Sequence, residues 1–67
     1  MTKMLEAMKA LVTNALELKA DAPNDVLRAY YRGKVMGVLE VAASGVLSRR
    51  EYEKFYVHYE NERARFD

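Results

Sequence analysis

A chain of 67 residues carrying 11 basic and 10 acidic side chains has a net charge of +1, too little to set up a global field for nucleic acid or an anionic membrane. Its length makes one domain, residues 1–67, which hides only about 60% of its unfolded surface and so has a marginal core. With no cysteine and one histidine, disulfide staples and the usual zinc ligand sets are excluded, which leaves well-packed helices or self-association as sources of stability.

Lys3, Glu6 and Lys9 interrupt the first residues, so no secretory leader is expected. The least polar stretch, Val35 to Leu47, carries Glu40 and is too short to span a bilayer. Together these set the expectation of a cytoplasmic protein with no membrane partner.

Met4, Leu5, Met8, Leu11, Val12, Ala15 and Leu16 recur at three- and four-residue spacing, with Lys3, Glu6, Lys9, Thr13 and Glu17 on the other side. This pattern predicts an amphipathic helix over about residues 2–19. "KADAPND" then ends it and starts the next. Asp21 is expected as the N-cap of the second helix, Pro23 in its first turn and Asp25 at the positive end of its dipole.

The second helix is predicted over about 23–44, with Leu27, Tyr31, Val35, Val38 and Ala42 as its main apolar ridge. Gly45 reads as the left-handed residue that terminates it. "SRRE" (Ser48 to Glu51) is a capping box for a third helix over about 49–66, and Leu47 is placed to staple onto Tyr52. Tyr52, Phe55, Tyr56, Tyr59 and Phe66 fall on one stripe of that helix. Short connections predict antiparallel neighbours, so the expected fold is all-α, three helices up-down-up, completed by homo-oligomerisation.

Two glycines interrupt the second helix. Ala29, Gly33 and Gly37 align on one side at 100° per residue, with Val41 continuing the line. Each glycine costs about 1 kcal/mol relative to alanine inside a helix, and the close approach of another helix would offset that. The apolar spacing runs from Leu27 to Ala42 without a phase shift, which argues for an unbroken helix and against an anion-gripping loop at "YRGK". Met36, Leu39 and Ala43 form a further patch, so the helix is apolar almost all round from Val35 to Ala43. It is therefore expected to be central, touching both other helices and covered further by a second copy, a dimer first, or by another protein. Gly33, Gly37, Met36, Leu39 and Ala43 are the predicted self-association residues.

Charge is polarised along the chain. Residues 1–27 carry three basic and four acidic groups, residues 28–50 five and one, and residues 51–67 three and five. Arg28, Tyr30, Arg32, Lys34, Arg49 and Arg50 are the candidates for partner or anion binding, the cations for phosphate and Tyr30 as a stacking face.

The stretch "EVAASGVLSRREYEKFY" resembles a helix-turn-helix: a helix, a glycine turn, a hydrophobic residue and a capped second helix. That resemblance implies DNA reading by the helix after Ser48. The sequence departs from the motif in the extra residue Leu47 and in Glu51 and Glu53, which would face phosphates unfavourably. "SGVLSRREYEKF" is also similar to the hinge of many short bacterial helical-hairpin domains, which implies a hinge and no particular activity.

No enzyme is expected. His58 lies beside the aromatic stripe as a flanking residue, Ser44 and Ser48 sit at helix ends, and the pairs Glu51/Glu53 and Glu60/Glu62 are two apart and do not face each other. No catalytic residue, metal ligand or cofactor is predicted. The expected function is that of a small helical protein-interaction module (adaptor, inhibitor or regulatory subunit) that binds a macromolecular partner and self-associates through its central helix. The alternatives are a nucleic-acid-binding regulator using Arg28, Arg32, Lys34, Arg49 and Arg50, and a binder of a small anionic ligand between protomers near Tyr30, Arg32 and Lys34.

Overall fold

Three helices carry most of residues 2–66, the part of the chain that the computed structural model describes. They are α1 (Thr2–Ala20), α2 (Asp25–Val41) and α3 (Arg49–Phe66), with a π-helical turn, Ala42–Val46, continuing α2. No strand occurs among the described residues. Among the described residues, no helix is long and apolar enough to cross a membrane.

The buried face of α1 is Leu5, Met8, Val12, Ala15 and Leu16, the three- and four-residue ladder of an amphipathic helix. Val12 is fully buried there, as is Phe55 of α3. Both other helices pack on α1, while α2 and α3 make little contact with each other. The central helix is therefore α1, and the expectation that the second helix would be central is corrected. The reason lies in the apolar arcs. α1 supplies five of the ten buried apolar side chains, whereas Val35 is the buried residue of α2.

The start of α2 also differs from the expectation. Asn24 is its N-cap, in extended backbone, and its Oδ1 accepts from the Leu27 N–H at 2.9 Å. Asp21 closes α1 instead, donating its N–H to the Glu17 carbonyl at 3.0 Å, and Pro23 lies in the connection before the helix. Asn and Asp are nearly equal as caps, and Asn24 directly precedes the uninterrupted helical run.

The second helix does not continue as an α-helix to residue 44. After Val41 the backbone winds wider through the π turn and stops at Gly45, where φ is +106°. That is the left-handed position the sequence assigns to Gly45, and it disfavours any side chain. The capping box then forms reciprocally. The Ser48 N–H donates to Glu51 Oε1 at 2.9 Å, and the Glu51 N–H donates to Ser48 Oγ at 3.2 Å. Leu47 is buried, and Tyr52 packs on the core cluster that contains it.

The aromatic stripe of α3 divides. Phe55 is fully buried, Tyr52, Tyr59 and Phe66 lie half-buried against the core, and Tyr56 is 43% exposed. Tyr56 remains in the stripe through its neighbours, with its ring centroid 6.1 Å from Tyr52 and 5.7 Å from Tyr59.

Candidate functional site

On one side of α2, a groove of about 360 Å³ runs between α1 and α2. Met8, Leu11, Gly37, Val38 and Val41 line it, with Lys34 its single charge. Leu11 is 53% exposed and Val41 49%. Met4, Leu11 and Leu18 recur every seven residues, so they share one face of α1, and all three are exposed. At the α2 edge the Lys34 ammonium stands 5.2 Å from the centroid of the Tyr30 ring, a cation–π contact, and Tyr30 meets Tyr31 edge-on.

The glycine line borders the α1–α2 groove without a close neighbour. Gly33 is exposed and Gly37 half-buried, and a Cβ added to either would meet no atom within 4 Å. Among the described residues, no other helix comes into close contact with either position. The close approach that would offset two helical glycines is thus absent within one copy.

The other predicted self-association residues lie elsewhere. Leu39 is half-buried against the core, Ala43 is exposed, and Met36, 57% exposed, lines a separate cleft where α1, α2 and α3 meet. Met36 and Gly37 are adjacent, so about 100° of helix rotation sends them to different sides of α2. The sequence reading missed the exposed face of α1. The seven-residue spacing of Met4, Leu11 and Leu18 is the signal that would have found it, but Met4 and Leu11 also fit the core ladder, and burial alone separates the two roles.

The six candidate binding residues occupy three places. Arg28 and Arg32 line a cleft at the end of α1 together with Lys19, and Asp25 holds Arg28 through an ion pair of 3.0 Å. Tyr30 and Lys34 pair beside the apolar groove. Arg49 and Arg50 open α3, whose last residue, Phe66, shares a cleft with Arg28. At 1.5 Å per residue they stand about 25 Å along α3 from that cleft. The basic middle of the sequence therefore does not fold into one continuous cationic surface.

The face between α1 and α3 carries a polar cluster that the sequence reading had divided between two surfaces. Thr13 Oγ1 lies 2.8 Å from His58 Nε2 and donates to Glu62 Oε1 at 3.0 Å. Glu6, Lys9 and Glu17 surround the shallow depression beside it. No buried side-chain polar atom lacks a partner, and no group of three potential metal ligands occurs among the described residues. Compared with known protein families, with curated proteins and with solved structures, the chain finds no match.

Proposed function

We propose that this chain is a small helical interaction module, its helices arranged antiparallel, that works as a homodimer and acts by binding a macromolecular partner. The observation that carries the reading is the uncovered apolar groove between α1 and α2, bordered by a glycine line against which nothing in the chain packs. The occupant is a second copy. Two helices about 25–28 Å long with axes 8–10 Å apart present a footprint of roughly 500 Å². The rugged accessible surface over that footprint exceeds it, within reach of the roughly 800 Å² per partner of a standard interface.

A two-fold pairing of this face would join the α1–α2 pairs of two copies into a four-helix layer, and Gly33 and Gly37 would let the partner backbone approach closely. The pairing would also thicken the core of a chain too short to bury much alone. The groove carries one charge, Lys34, which stands over the Tyr30 ring, so the rest of the face that would meet its copy is apolar.

Sedimentation of the wild type with Leu11→Glu, Val41→Glu and Met36→Glu tests the assignment. All three side chains are about half exposed, so the substitutions leave the core intact. The expected result is a wild-type dimer that the first two variants convert to monomer and the third leaves whole. A monomeric wild type at high micromolar concentration removes the reading. Dissociation by Met36→Glu alone moves the interface to the opposite side of α2.

A further inference from the structure

On the other side of α2, away from the apolar groove, the three helices converge on a cleft of about 250 Å³. Each helix contributes one cation to its wall: Lys19 from the last turns of α1, Arg32 from α2 and Arg63 from α3. Among the described residues, no carboxylate lines it. Folding brings residues 19, 32 and 63 to one place and concentrates positive potential in a concave site, where low-dielectric walls focus it.

The surroundings define what the cleft accepts. Arg63 also holds Glu60 at 3.9 Å, but Lys19 and Arg32 have no ion pair among the described residues. Leu16 and Val35 are buried apolar residues of its wall, and Met36 and Tyr59 add a polarisable thioether and an aromatic ring. The adjoining cleft, which shares Lys19 and Arg32, adds the ion pair of Arg28 and Asp25.

We propose that this three-helix cleft binds a small phosphomonoester with a compact apolar or aromatic body. Two arginines offer planar forks that match phosphate oxygens, and Lys19 adds a point charge. Lys19 and Arg32, which have no ion pair among the described residues, together match a group of charge near −2 better than a monocarboxylate. The modest volume selects a body of about one ring, because typical drug-sized ligands occupy larger pockets. The apolar wall receives that ring. The phosphomonoester would come from a free metabolite or from a phosphorylated tyrosine side chain, which present the same chemistry. The cleft lies apart from the α1–α2 groove, so the site does not depend on dimer formation.

The test is calorimetric titration of the full chain with inorganic phosphate, phenyl phosphate and a short phosphotyrosine peptide, at constant ionic strength. Phenyl phosphate should bind at least ten-fold more tightly than inorganic phosphate. Arg32→Gln should lose ten-fold or more of that affinity, whereas Arg50→Gln, at the far end of α3, should lose none. Arg32 is exposed, and circular dichroism checks that the variant keeps its helices. A peptide that binds more tightly than phenyl phosphate supports the site and identifies its source as a phosphorylated side chain. Absence of phenyl phosphate binding at millimolar concentration overturns the proposal. Equal losses for Arg32→Gln and Arg50→Gln do so too, since they would report diffuse charge attraction.

Discussion

Thr13 and His58, 45 residues apart in the chain, meet across the α1–α3 contact with His58 Nε2 at 2.8 Å from Thr13 Oγ1. Thr13 donates its one hydroxyl proton to Glu62, 3.0 Å away, so His58 must be the donor in the other bond. One hydroxyl thus fixes the histidine's orientation and its protonated nitrogen, and ties two positions of α3 to one of α1. Thr13→Val keeps the shape and removes both bonds. It should lower stability by about 1 kcal/mol, and the melting temperature by several degrees. Thr13→Ser should restore most of the loss. Equal melting of the valine variant and the wild type would show that the bonds contribute nothing.

The three glycines should respond in opposite directions. Gly33→Ala meets open space in helical backbone and should stabilise the folded chain by about 1 kcal/mol. Gly45 stands at φ +106°, where a Cβ is strained, and Gly45→Ala should cost about 1 kcal/mol or more. Gly37→Ala separates fold from assembly. It should raise the denaturant midpoint under dilute conditions yet weaken dimerisation in sedimentation. A variant at 37 that strengthens both would place the partner helix elsewhere.

Phe55 is fully buried and packs into the α1 face. Phe55→Ala should cost about 3–5 kcal/mol, against a total of about 3–10 kcal/mol for a chain of this length. That is a large share of the total and should appear as a sharply lowered melting temperature followed by helical circular dichroism. Val57→Ala, on a residue 60% exposed in the same helix, should change stability by less than about 0.5 kcal/mol. Comparable loss in both variants would mean that Phe55 has no special place in the core.

Glu51 accepts the Ser48 backbone N–H, and that bond is the chief reason its carboxyl titrates below its ordinary 4.5. A carboxylate with a depressed pKa in the folded state adds stability above its unfolded value and loses it as pH falls through the folded one. The advantage of wild type over Glu51→Gln should therefore hold at neutral pH and shrink as the solution is taken below 4.5. Melting curves across that range check it. A constant difference would show that the charge takes no part in the cap.

What sequence alone revealed, and what it did not, divides along a physical line. Gly45 and the Ser48–Glu51 box follow from local chemistry, and both stand where the pattern puts them. Asn24 shows the limit of local reading, since Asp21 offered an equivalent cap three residues earlier. The central role of α1 was illegible for a different reason. Periodicity gives the width of an apolar arc but not which neighbours share it, and the nearly all-round apolar stretch of α2 was a natural but misleading signal. Thr13 shows the same limit at the level of one side chain. It lies on the polar flank of the ladder, and only the position of α3 turns that flank into a contact.

Because both later helices lean on α1 and scarcely on each other, assembly order is written into the topology. The template precedes both of its clients in the chain, so either later helix finds its main partner already made. A circular permutant that moved α1 to the end would reverse this. Its first two helices would wait as a splayed, sticky hairpin until the last segment emerged. Such a chain could reach the same final structure and still be lost to aggregation on the way.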